Sequence, residues 1–419
     1  MQHVDPDTIS PRHMAQVLEI ARLLAVTADL DRLLTAIAES ATQLLDAERA
    51  SIYLHDPPSR QLWTRVALGA REIRVPDTAG IVGHVFQTNR LLRVARPYED
   101  PRFNPEIDRR SGFVTRNLLT APARDMSGRP IGVLQVVNRK GGEFTEYDEA
   151  LIDILAGQVG VAIQRHYLQQ QTVQAAALRH EMELAQRVQL AMIPAQPPRL
   201  AGLAAAGWTR PASLTGGDAY DLWITDDGRM GVFLGDASGH GIAPALVVSQ
   251  ARTLVRALSE MNSDPAWLLT RLNARLARDL EAGTFVTVFL AFVDGSGSMQ
   301  WCSAGHGPVF LRVAADTPLR LLEPTAPPIG VLPELECDGV AREQIQPGGM
   351  LAVMSDGVFE ARSPERELFT VERLVGFLEG SGRCSPARII ESLRQILIDW
   401  QGREEPEDDQ TVAIVQRVE

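Results

Sequence analysis

The chain has 419 residues, with 53 acidic against 41 basic side chains and a formal net charge of −12. At 45% hydrophobic and 22% charged, this is the composition of folded domains, two or three at about 150 residues each, and not of a disordered chain. The acidity argues against nucleic acid or anionic membrane as a partner of the whole molecule, and no apolar run approaches the roughly 18 residues of a membrane span. The first residues, MQHVDPDTISPRH, have neither a basic start nor an apolar stretch, so no secretion signal is expected. Cys302, Cys337 and Cys384 are scattered and odd in number. Neither a disulfide framework nor a structural zinc site is expected, and a cytoplasmic location fits.

Residues 14–46 read as two helices with apolar residues at spacings of three and four, and Asp29 is the expected N-cap of the second. Short β-like runs follow: ASIYLHD, QLWTRVAL, NLLTAPARD and IGVLQVVNR, separated by turns such as DPPS and DMSGRP. The helix FTEYDEALIDILAGQVGVAIQRH closes this region, which predicts an α+β domain over 14–165. The helix reads on through 166–197, with Leu168, Leu178, Met182, Ala185 and Met192 near heptad spacing and Gln171 and Gln189 interrupting the seam. This fits either a parallel coiled-coil homodimer or a single helix packed on its own domain. IPAQPP at 193–198 breaks it.

Residues 198–419 alternate strands and helices. Strands are expected in GRMGVFLGD, TFVTVFLAFVD, SMQWCSAG, VFLRVA, GMLAVMSD and TVAIVQRV, with DGSGS at 294–298 as a hairpin turn. Helices are expected at 242–261, 265–281, 371–379 and 386–401, which together predict a layered α/β sandwich. The charge is divided unevenly. Residues 1–165 carry 21 acids and 20 bases, whereas residues 198–419 carry 30 acids and 19 bases.

Asp218 in LTGGDAYD, Asp236 in FLGDASGHG, Asp356 in AVMSDGV and Asp408 in EDDQTV each stand beside glycine or another acid at the edge of an expected strand. Any one of them alone reads as a turn residue. Together, in one cleft, they would repel unless cations offset them, and hard oxygen ligands favour Mg²⁺ or Mn²⁺.

Residues 183–419 resemble the SpoIIE and RsbU branch of the metal-dependent (PPM, 2C-type) serine/threonine protein phosphatases. The resemblance rests on ELAQRVQLAMIP, GGDAYDLW, GDASGHGIAPAL, FVTVFLAFVD, WCSAGHGPVFL, PIGVL, PGGMLAVMSDGVFEAR and DDQTVAIV. It implies an αββα sandwich with two divalent metal ions, Mn²⁺ or Mg²⁺. Asp236 would bridge them, Asp218 and the backbone carbonyl of Ala237 would serve one, and Asp356 and Asp408 the other. Asp408 is preferred over the adjacent Asp409. His240 and His306, in GHG and AGH, are either proton donors or structural histidines, the second reading being favoured. The implied substrate is a phosphorylated STAS-domain protein, an anti-anti-sigma factor of a partner switch. The alternative is a non-catalytic protein whose phosphatase fold only docks a partner.

Residues 14–165 resemble GAF sensor domains, above all those of cyclic-nucleotide phosphodiesterases and cyclases, through GIVGHVFQTNRLLRV, PYEDPRFNPEIDRRSGF, NLLTAPARDMSGRPIGVLQVVNR and FTEYDEALI. Their Asn-Lys, Phe, Asp-Glu motif reads here Asn138-Arg139, Phe144, Asp148-Glu149, with Arg139 expected to pair with Asp148. The motif is expected to hold the fold together more than to touch ligand. The resemblance leaves open a cyclic nucleotide, another small molecule, or packing and dimerisation alone.

Overall fold

The computed structural model describes residues 10–27, 29–67, 73–281, 283–337, 339–382 and 384–418. The stretch read for a secretion signal lies, up to residue 9, outside the described residues. Two compact units divide within one helix: Met1–Ala176 and Ala177–Glu419.

The first unit begins with α1 (Pro11–Val26) and α2 (Leu30–Leu44). Ser10 caps α1 through the His13 N–H, and Asp29 caps α2 through the N–H groups of Asp31 and Arg32. Strands β1 (Ala47–Asp56), β2 (Gln61–Ala67) and β3 (Arg74–Pro76) precede α3 (Gly80–Thr88). Then come β4 (Leu92–Val94), α4 (Pro105–Ser111), β5 (Leu118–Arg124), β6 (Pro130–Arg139) and the long α5 (Glu146–Met192). The strands form one antiparallel sheet in the order β3-β2-β1-β6-β5-β4. On one side Leu34 and Ile37 of α2 and Leu155 and Val159 of α5 pack on Ile52 and Leu134. On the other, Val82, Val85 and Phe86 of α3 pack on Tyr53, Leu62 and Val133. A sheet covered on both faces buries both sides of β5, from Leu118 to Ala123.

The second unit contains β7 (Leu203–Arg210), β8 (Asp218–Ile224), β9 (Met230–Ala237), α6 (Ile242–Ser259) and α7 (Pro265–Leu276). It continues with β10 (Val286–Val293), β11 (Ser298–Ala304), β12 (Val309–Arg312), β13 (Arg320–Leu322), β14 (Ala341–Gln344) and β15 (Met350–Met354). It ends with α8 (Asp356–Phe359), α9 (Val371–Gly380), α10 (Pro386–Gln401) and β16 (Gln410–Arg417). Two five-stranded sheets, β14-β11-β10-β9-β8 and β13-β12-β15-β16-β7, face each other across a core that includes Val232, Phe289, Leu311, Val353 and Val415. Val248 of α6 and Leu268 and Leu272 of α7 cover the first sheet, and Leu374 of α9 and Leu393 of α10 cover the second. The result is the αββα sandwich.

Several elements escaped the sequence reading. β7 is alanine-rich (LAAAGWTR) and is a strand because β16 pairs with it along its whole length. α3 and β8 lie inside stretches read for their motifs only. Helix α7 stops at Leu276, short of the expected 281, and Asp356 opens the short α8 instead of closing a strand. Along α5, Leu168, Val173, Leu178 and Val188 are all more than half exposed.

Two glycines of α5 should respond oppositely to alanine. A Cβ at Gly157 meets nothing within 4 Å, whereas one at Gly160 would lie 2.0 Å from the Arg124 carbonyl oxygen. Urea unfolding should show Gly157→Ala stabilising by up to about 1 kcal/mol, the ordinary helix preference. Gly160→Ala should destabilise by about 1–3 kcal/mol through overpacking.

Candidate active site

The acidic residues meet where the two sheets face each other at one edge. Asp218 is the first residue of β8 and stands directly opposite Asp236 in the β8–β9 ladder. Asp236 is flanked on its other side by Thr287 of β10. From the second sheet, Asp356 follows β15, and Asp408 and Asp409 immediately precede β16.

Asp409 builds the loop that presents Asp218. Its carboxylate accepts the N–H of Ala212 at 2.7 Å and of Gly217 at 2.5 Å. Gly216 rests on the same carboxylate, since a Cβ there would lie 2.7 Å from Asp409 Oδ2. A Cβ at Gly217 would lie 2.7 Å from the Ala237 carbonyl oxygen, and one at Gly357 would lie 2.2 Å from the Asp409 carbonyl oxygen. These glycines let three backbone segments close around the site. Asp408, in contrast, is exposed and spends one oxygen on the Asp409 N–H at 2.8 Å.

The electrostatics follow from burial. Asp218 is 5% exposed, and its Oδ2 has no hydrogen-bond partner. Burial, then the neighbouring Asp236, hold its carboxyl well above the usual range, against hydrogen bonds from Ser355 and Thr411. Burial and then the charges of Asp356, Asp408 and Asp409 push Asp236 up to about 7. Asp356 is raised by burial and then by Asp408. Asp409 is also raised by burial, with the backbone donors opposing. Among the described residues no lysine or arginine forms an ion pair with any of these five aspartates. Nor do three His, Cys, Asp or Glu side chains among them already converge at ligand distance. Carboxylates that repel one another do not close on a point unaided. An orphaned buried carboxylate oxygen, all-oxygen donors and an excess of negative charge are what hard divalent cations fit.

Sequence reasoning missed several positioning groups. Ser355 and Thr411 are fully buried, Ser355 Oγ accepts the Thr411 N–H at 2.9 Å, and Thr411 Oγ1 lies 2.7 Å from Thr209 Oγ1. These hydroxyls floor the Asp218 carboxylate. Asp221 is fully buried and paired with Arg252 at 2.8 Å and Arg256 at 2.9 Å, which ties α6 to β8. Gln189, read only as a break in a heptad seam, brackets Gly216: its Nε2 donates to the Gly216 carbonyl at 2.7 Å, and its Oε1 accepts the Gly216 N–H at 3.3 Å. His306 is buried with both ring nitrogens engaged, Nδ1 3.0 Å from Thr287 Oγ1 and Nε2 3.1 Å from the Met354 carbonyl. Burial lowers it to about 4, so it is neutral and structural. His240 is exposed.

In the first unit the motif residues are spent on the fold. Asn138, at φ 59°, is fully buried; its Oδ1 accepts the Arg116 N–H, and its Nδ2 donates to Glu48 and to the Val114 carbonyl. Arg139 pairs with Asp148 at 3.1 Å, Glu149 pairs with Arg93 at 2.8 Å, and Phe144 lies in the core.

Known proteins resemble both halves. Residues 226–418 match the family model "Stage II sporulation protein E (SpoIIE)", and residues 29–163 match "GAF domain". The SiaA-PP2C domain of Pseudomonas aeruginosa matches with a TM-score of 0.50 at 20% identity, over 58% of this chain and 98% of that one. Protein IcfG of Synechocystis is 27% identical over 256 residues, 54% of this chain and 40% of IcfG. A probable 3',5'-cyclic phosphodiesterase, pde-5 of Caenorhabditis elegans, is 32% identical over 162 residues, 35% of this chain and 22% of that protein. The chain spans less than half the length of either curated relative. The second unit therefore has the fold of the SiaA-PP2C domain. The chain thus joins a region that matches the GAF model to one that matches the SpoIIE model.

The raised carboxyl groups predict a pH dependence for chelator-treated protein. Groups whose pKa is higher folded than unfolded bind more protons in the folded state, so stability falls as pH rises between the two values. With divalent cations removed by a chelator, the melting temperature should fall from about pH 5 to pH 8, the range set by Asp236 at about 7. Added Mn²⁺ should reverse the fall at pH 8. Thermal unfolding followed by circular dichroism checks both.

Proposed function

We propose that this protein is a metal-dependent phosphoserine/phosphothreonine protein phosphatase, regulated through its GAF domain and acting on a phosphorylated STAS-domain protein. The observation that carries the catalytic reading is that Asp218 stands opposite Asp236 and that Asp356 and Asp408 lie near enough to raise Asp236, with no side-chain cation paired to any of them among the described residues. Asp236 would bridge two divalent ions, Asp218 and the Ala237 carbonyl would hold one, and Asp356 and Asp408 the other. Asp408 takes this role over Asp409 because backbone N–H groups already occupy the Asp409 carboxylate. When bound, Mn²⁺ or Mg²⁺ supplies an activated water and neutralises charge on the phosphoryl oxygens.

The protein's own part is placement. The β8–β9 register fixes Asp218 against Asp236, and Ser355 and Thr411 orient the Asp218 carboxylate. No side-chain nucleophile is required. His306 carries no proton to the leaving group, since both of its nitrogens are committed.

The regulatory reading rests on α5. It is continuous from Glu146 to Met192 and ends on the loop before Asp218 through the Gln189–Gly216 pair. Its exposed apolar residues fit a homodimer formed through the linker and the GAF domain. Among the described residues no helix is long and apolar enough to cross a membrane. A cytoplasmic setting is part of this proposal. The STAS substrate follows the SpoIIE-type resemblance.

Hydrolysis of p-nitrophenyl phosphate and of a phosphorylated STAS protein tests the reading. Asp236→Asn should lower manganese-dependent activity by more than ~100-fold, because metal-borne charge stabilisation amounts to several kcal/mol. Asp408→Asn should do likewise with little change in melting temperature, whereas Asp409→Asn should lower the melting temperature as well. Full activity in Asp236→Asn would sink the mechanism. An inert wild type that binds no Mn²⁺ would favour the docking-protein alternative.

A further inference from the structure

The chain passes from the first sheet of the sandwich to the second between β11 and β12, and His306 sits in that short crossing, residues 305–308. It is 4% exposed. Its backbone is held in place: Ser303 Oγ donates to the His306 carbonyl at 2.5 Å, and the Gly305 N–H donates to the Ala326 carbonyl at 2.7 Å. The ring then reaches both sheets. Nδ1 lies 3.0 Å from Thr287 Oγ1 on β10, and Nε2 lies 3.1 Å from the carbonyl of Met354 at the end of β15. A carbonyl oxygen only accepts, so Nε2 carries the proton of the neutral ring, and Nδ1 accepts from the Thr287 hydroxyl.

Both partners adjoin the acidic site. Thr287 stands directly opposite Asp236 in the β9–β10 ladder, and Asp218 stands opposite Asp236 on its other side. Residues directly opposed across strands share a face of the sheet, so Thr287 lies on the face that carries both carboxylates. Met354 is the last residue of β15, two residues before Asp356.

We propose that His306 is a positioning residue, a buried tie between the two sheets that sets the spacing of Asp236 on one and Asp356 on the other. The inference rests on the metal-dependent reading given above. The core between the sheets contains apolar residues such as Phe289 and Val353, whose contacts are non-directional. Hydrogen bonds fix distance and angle as well, and a bonded chain from Thr287 through His306 to Met354 is the directional element. Donors on two separate sheets serve a pair of cations only while the sheets keep one separation.

The test uses the full-length protein with Mn²⁺ as the probe and three variants, each shown to be folded at the assay temperature by circular dichroism. Thr287→Val removes the hydroxyl at nearly constant volume, Thr287→Ser keeps it, and His306→Asn is too short to reach both partners. Calorimetry should show Mn²⁺ binding weakened about 10–100-fold in Thr287→Val and His306→Asn, the range for groups that orient metal ligands. Wild type should give the exchange-coupled electron paramagnetic resonance signal of a Mn²⁺ pair, and these two variants should lose it. Their kcat on p-nitrophenyl phosphate should fall at least ~10-fold with KM little changed. Thr287→Ser should restore binding, signal and kcat. Thr287→Val with the affinity and signal of wild type overturns the proposal, and a Thr287→Ser as impaired as Thr287→Val does so too, by assigning the effect to packing. In both cases wild type still binds Mn²⁺, so the phosphatase reading stands; a wild type that binds none overturns the two together.

Discussion

The second unit is organised around a repulsion. Asp218 and Asp236 are forced into opposition by strand pairing, and Asp356 and Asp408 approach from the other sheet. Each would be more stable apart, in water, as a solvated anion. What holds them together is two sheets packed on Val232, Phe289, Leu311, Val353 and Val415 and covered on both outer faces by helices. Burial of that apolar core offsets an unfavourable cluster of charge.

The loop geometry serves the same end. Asp409 is an acid used as a structural acceptor: it gathers the Ala212 and Gly217 N–H groups and leaves Asp218 facing the cleft. Gly216, Gly217 and Gly357 are glycines because backbone or carboxylate occupies the place of their Cβ atoms. Gln189 joins this construction from the end of α5, so the turn before Asp218 is held both by Asp409 and by the helix that precedes the phosphatase domain. Through Gln189 the end of that helix touches the turn that leads into Asp218.

The GAF unit shows the opposite economy. Its motif residues form a closed set of internal contacts, Asn138 to Glu48 and Val114, Arg139 to Asp148, and Glu149 to Arg93. They brace the end of β6 and the start of α5.

Periodicity and local motif chemistry were enough, from the sequence alone, for the longer helices, most strands, the break after α5 and the acidic residues at strand edges, because each rests on neighbours close in the chain. The DGSGS hairpin and the Asp29 cap are of the same kind. Tertiary structure alone decided what depended on contacts between distant residues. It made the alanine-rich β7 a strand, by pairing it with β16. It separated the roles of Asp408 and Asp409, adjacent in sequence and alike in chemistry, by aiming one carboxylate at backbone donors 192 and 197 residues away. It turned Gln189 from a flaw in a heptad into a clamp. Spacing along a chain carries no information on which side chains a folded core sets side by side, and these assignments are of that sort.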